Sequence, residues 1–118
     1  MTPRELSARL LQFSVRIGKF IETLPDTRLG RHVAGQVVRC GTAGGPNYEE
    51  ACAAESKDDV VHKLAIVLKE LRETCYWLRS SAEADLLPGH ATKELLIECG
   101  ELCDIIGKSI ATAKSNRT

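Results

Sequence analysis

A chain of 118 residues makes one domain, long enough to bury a core without the help of disulfides or metal. Aromatic residues are only 4% of it, which disfavours a barrel or sandwich, while 43% hydrophobic and 27% charged residues are ordinary for a globular bundle. Formal charge is zero, so the whole chain lacks the basic excess of a non-specific nucleic-acid binder, yet residues 1–40 carry seven Arg/Lys against three acids and the remainder nine against thirteen.

The first element is an amphipathic helix over about 4–24. Leu6, Leu10, Phe13, Ile17 and Leu24 recur at spacings of three and four, with Phe20 or Ile21 completing the stripe. Thr2 suits the N-cap, Pro3 the first helical position, and Pro25-Asp26 the stop. The second segment starts near Thr27 and keeps its period through Leu29, Val33, Val37 and Cys40. It then meets Gly41-Thr-Ala-Gly-Gly-Pro-Asn47, whose glycines and proline are costly inside a helix. On the residues alone this is a helix, a break and a short helix, with the glycines serving close helix packing. Ser56 and two aspartates open the third long helix, over about 57–84, with the heptad Val61, Leu64, Leu68, Leu71, Cys75, Leu78. After the turn Leu86-Leu-Pro-Gly89, the last helix covers about 91–113, with Leu95, Cys99, Leu102, Ile106 and Ile110 inward. Four such segments with short connections predict an all-α, antiparallel up-down-up-down four-helix bundle filling residues 1–118.

The stretches Gln36-Val-Val-Arg-Cys-Gly-Thr42, Asn47-Tyr-Glu-Glu-Ala51 and Ser56-Lys-Asp-Asp59 lead to Leu68-Lys-Glu-Leu-Arg-Glu-Thr-Cys-Tyr-Trp-Leu-Arg79. With Leu95-Leu-Ile-Glu-Cys-Gly-Glu-Leu102 and Ala111-Thr-Ala-Lys114, their order and spacing resemble the bacterial four helix bundle proteins, also called the 23S rRNA intervening-sequence family. The resemblance spans nearly the whole chain. It implies one long second helix, about 28–54, here kinked near 44–46, and a tendency to form ring-like homo-oligomers, with five subunits the expected number. Relatives are encoded within ribosomal RNA gene insertions, and more distant ones assist reverse transcriptases. The chain departs from the family pattern at Gly44, Pro46, Tyr48 and Cys75, where a larger apolar residue, a small non-proline residue, an aliphatic one and an arginine are usual.

No catalytic residue is expected: His32, His62 and His90 match no nucleophile–base pattern, and Gly41–Asn47 lacks the Lys-Ser/Thr and preceding strand of a phosphate loop. Cys99 and Cys103 lie one turn apart but no CxxC or HxxxH accompanies them, so all five cysteines read as core packing, with no metal, cofactor or disulfide. Asn47, Glu50, Lys69, Arg72 and Glu73 are candidates for an interhelical polar network or a binding site. Arg9, Arg16, Lys19, Arg28, Arg31 and Arg39, together with Arg4, are a candidate basic patch. Ile66, Val67, Tyr76, Trp77, Ile97 and Ile105 fall off the core stripes, and Ile66 and Trp77 are the candidate oligomer anchors. The expected function is a non-enzymatic, self-assembling binding or adaptor protein of the cytoplasm, outside any membrane. The alternative is an RNA- or DNA-binding accessory factor.

Overall fold

A computed structural model describes residues 1–116, with the side chain of His90 outside that description. Five helices form the four arms of a bundle: α1 (Pro3–Glu22), α2 (Arg28–Gly41), α3 (Gly44–Ala53), α4 (Lys57–Glu83) and α5 (Gly89–Ser115). The molecule measures 52 × 21 × 20 Å. α2 and α3 together make the second arm. Each arm packs on its neighbours in sequence, and α5 closes the bundle on α1, which places α1 and α4 on one diagonal. The helix pairs run antiparallel: Ser7 reaches Glu49, Lys63 reaches Glu50, and Lys57 reaches the carbonyl of Asn116.

Local chemistry sets the helix starts. Thr2 Oγ1 accepts the Glu5 N–H at 3.1 Å while the Glu5 carboxylate accepts the Thr2 N–H, a complete capping box. Thr27 and Ser56 cap α2 and α4 in the same way through the N–H groups of Gly30 and Asp59. Between α4 and α5, Asp85 adopts a left-handed backbone with φ 53°. This lets the Leu86 and Asp85 N–H groups return to the carbonyls of Ser81 and Ala82, the two bonds of a Schellman stop.

The interruption in the second arm falls at Thr42–Ala43, just before the kink expected at 44–46, and Pro46 itself sits in the first turn of α3. The displacement has a simple cause. A proline disturbs the helix one turn earlier, because it cannot donate to the carbonyl four residues back and its ring crowds that carbonyl. For Pro46 that carbonyl belongs to Thr42. The Thr42 hydroxyl also donates to the Val38 carbonyl, a back-bond that bends helices. Thr42 (φ −107°, ψ 2°) and Ala43 (φ −84°, ψ −23°) stay near right-handed helical geometry, so the chain bends and resumes rather than looping out.

The core is a single cluster drawn from all four arms. Its α4 stripe differs from the heptad expected from apolarity. The buried positions are Leu64, Val67, Leu71, Thr74, Leu78 and Ser81, while Leu68 and Cys75 are half-buried. Val67, expected off the stripe, is central to it. Thr74 and Ser81 are polar, but their hydroxyls donate to the carbonyls of Glu70 and Trp77 one turn back, so burial leaves neither unsatisfied.

Candidate functional site

The residues singled out in the sequence are used in separate places. Asn47 is half-buried and donates to the Ala43 carbonyl at 2.9 Å, bracing the start of α3. Glu50 accepts from Lys63 at 2.6 Å across the α3–α4 seam. Glu73 takes part in a cluster between α2 and α4, where Arg39 pairs with both Glu70 and Glu73. Trp77 Nε1 donates to the same Glu73 carboxylate, and the indole meets the His32 ring edge-on at 5.5 Å between centroids. Lys69 and Arg72 are exposed on α4, Arg72 beside the thiol of Cys103. The five polar candidates therefore form no single network.

The basic candidates are divided in the same way. Arg9 grips Glu98 with two hydrogen bonds of 2.7 and 2.6 Å and Glu101 with a third of 2.8 Å. This fork ties α1 to α5, and the two carboxylates hold the guanidinium proton more firmly than usual. Arg31 pairs with Asp26 at 2.8 Å, and Arg39 is held by Glu70 and Glu73. Arg16 is half-buried on α1, while Arg4, Lys19 and Arg28 are exposed at other points of α1 and α2. Instead of one basic face, half of the six candidate cations serve as clamps between or within elements.

Trp77 is half-buried against the core and Ile66 is half-buried, so neither stands out in water as the sequence suggested. Large apolar side chains are exposed at other positions. On α1, Leu11 and Val15 are 64% and 52% exposed, and Val38 on α2 is 41% exposed. Leu11 borders a groove of about 390 Å³ lined on the second arm by Thr42, Gly45, Pro46 and Glu49. Tyr76 on α4 and Ile97 on α5 are each 55% exposed. Leu11 borders Thr42, Gly45 and Pro46 at the seam of α1 with the second arm, and Tyr76 borders Leu96 at the seam of α4 with α5, two seams on opposite sides of the bundle.

Between α4 and α5 the structure gathers three of the five cysteines. The Sγ atoms of Cys75, Cys99 and Cys103 all lie within 4.8 Å of one another. Cys99 is fully buried and its thiol donates to the Leu71 carbonyl at 3.1 Å; the other two are half-buried. Cys103 ionises the most readily, because the Cys75 and Cys99 thiols can donate to its thiolate and Arg72 adds positive potential. Cys99 resists ionisation, held up by its hydrogen bonding with Cys103 and Cys75 and by burial. Sequence spacing pairs Cys99 with Cys103 but leaves Cys40, Cys52, Cys75 and the histidines equally open as further members; the register of α4 against α5 selects Cys75.

Residues 5–108 match the family model described as 23S rRNA-intervening sequence protein. The chain belongs to this family. A solved member of the same fold, a protein of unknown function from the S23 ribosomal protein family of Bacteroides thetaiotaomicron, superposes with a TM-score of 0.80 at 28% identity. The match covers 89% of this chain and 97% of that one. No curated protein gives a match. Among the described residues, no helix is long and apolar enough to cross a membrane.

Proposed function

We propose that this family member is a non-enzymatic, self-assembling protein that acts as a binding module or adaptor in the cytoplasm, its subunits joined head to tail in a closed ring. The observation that carries the reading is the pair of apolar faces on opposite sides of one bundle, Leu11–Val15 and Tyr76–Ile97. Two different faces pointing apart favour a heterologous contact, which closes into a ring when the rotation between subunits permits. Covering half-exposed side chains of this size is worth about 1 kcal/mol each. Five unpaired cysteines suit a reducing compartment.

Support for a non-enzymatic role comes from how the polar candidates are used: Asn47, Glu50, Glu73, Arg9 and Arg39 spend their hydrogen bonds locking helices. The nucleic-acid reading has weaker support, because Arg9, Arg31 and Arg39 are already matched to carboxylates of the same chain. Sedimentation at micromolar concentration is the test. The expected mass is a small multiple of the 12.9 kDa chain, and Leu11→Glu, a change at an exposed position, should reduce it to one chain without loss of helix. A monomeric wild type would end this reading. Salt-sensitive RNA binding by the wild type would favour the accessory-factor alternative.

A further inference from the structure

The thiol cluster at the α4–α5 seam has a geometry that core packing does not require. Three sulfurs meet from two helices: Cys99 and Cys103 one turn apart on α5, and Cys75 opposite them on α4. A metal with M–S bonds of about 2.3 Å places its sulfurs roughly 4 Å apart in a trigonal plane. The present spacing, within 4.8 Å, is less than about 1 Å from that arrangement, a distance that side-chain rotation can close. α4 and α5 are unbroken here, so the three Cβ atoms are held by rigid elements.

We propose that Cys75, Cys99 and Cys103 form a three-sulfur binding site for a soft monovalent metal ion, copper(I).

The donor set selects the ion. Among the described residues no histidine or carboxylate joins the group, which leaves a purely soft, three-coordinate site. Zinc in closed protein sites takes four ligands, whereas copper(I) is satisfied by three thiolates. Binding releases one proton from each thiol and leaves the centre with two negative charges. Two cations stand near to offset them: the Arg72 guanidinium acts on Cys103 and that of Arg79 on Cys75. Entry is available from the side of Cys103, which lines an open groove of about 400 Å³ with Leu68, Arg72, Asp104 and Lys108. Cys103, the thiol that lines the groove, would make the first bond, and the buried Cys99 would exchange its hydrogen bond to the Leu71 carbonyl for the metal.

The test is an anaerobic titration of the reduced full-length chain with copper(I) against a chromophoric copper(I) chelator, with circular dichroism to confirm that each variant is helical. The expected result is one equivalent of copper withheld from the chelator per chain, with a higher melting temperature on binding. Cys75→Ser, Cys99→Ser and Cys103→Ser should each lose that equivalent and the thermal shift. Cys52→Ser, at an exposed position on α3, should retain both. A folded wild type that withholds no copper overturns the proposal. So does copper that is retained by the three cluster variants or lost with Cys52→Ser, and so does zinc held more tightly than copper.

Discussion

Along one seam, α4 and α5 run side by side as unbroken helices of 27 residues each; along the other, α1 faces an arm cut into pieces of 14 and 10. The first seam is filled by side chains and carries the thiols. The second closes, at Gly41, on a position without a side chain. A Cβ at Gly41 would stand 2.8 Å from Ile17 Cγ2, so only glycine lets α2 approach α1 this closely. On α5, Gly100 and Gly107 have nothing within 4 Å of the same position. A glycine in a helix can thus be a spacer or merely a weakness, and only the partner across the seam decides which.

The largest effect is expected where both seams meet. Leu71 is buried, its carbonyl accepts the Cys99 thiol, and its Cδ2 approaches the Cβ position of Gly44. Leu71→Ala should cost about 2–5 kcal/mol, read as a lower urea midpoint. A loss under about 1 kcal/mol would mean that the two seams do not share this anchor.

Glycine replacement sharpens the contrast, because one substitution should change sign between the seams. Gly41→Ala should destabilise by about 1–3 kcal/mol, since Ile17 is itself fully packed and has little room to move. Gly100→Ala should stabilise by about 0.5–1 kcal/mol through a less free unfolded chain and better helix propensity. Parallel urea melts check both; two shifts of the same sign would remove the distinction.

The fold was legible because capping residues and apolar period act locally. Thr2, Thr27 and Ser56 cap the helices that their positions suggest, and Leu6, Leu10, Phe13 and Ile17 face inward as spaced. Where the reading slipped, a longer-range or hidden factor decided. In α4, Thr74 and Ser81 are core residues that an apolar search passes over, because their hydroxyls bond back along their own helix. Skipping them moved the stripe onto Leu68 and Cys75 and pushed Val67 off it. The bend went to Thr42 because proline acts on a carbonyl one turn away from itself.

The candidate sites were less legible, since each depends on register between helices. That Arg9 would meet Glu98, or Arg39 meet Glu73, follows from how far one helix slides along another. The same register brings Cys75 to Cys99 and Cys103. The groove beside Leu11 likewise depends on that register, which sets Thr42, Gly45 and Pro46 along it.

The central claim is that two unlike faces of the bundle join copy to copy, and a mixing experiment tests it most directly. Leu11→Glu damages the α1 face and leaves Tyr76 and Ile97 intact; Tyr76→Glu does the reverse. Both positions are exposed, so each variant should remain folded. Alone, each variant should sediment as a single 12.9 kDa chain; mixed at equal concentration, they should pair through the one intact face that each retains, giving a two-chain species. A Tyr76→Glu variant that self-associates alone, or a mixture that stays monomeric, would contradict the account.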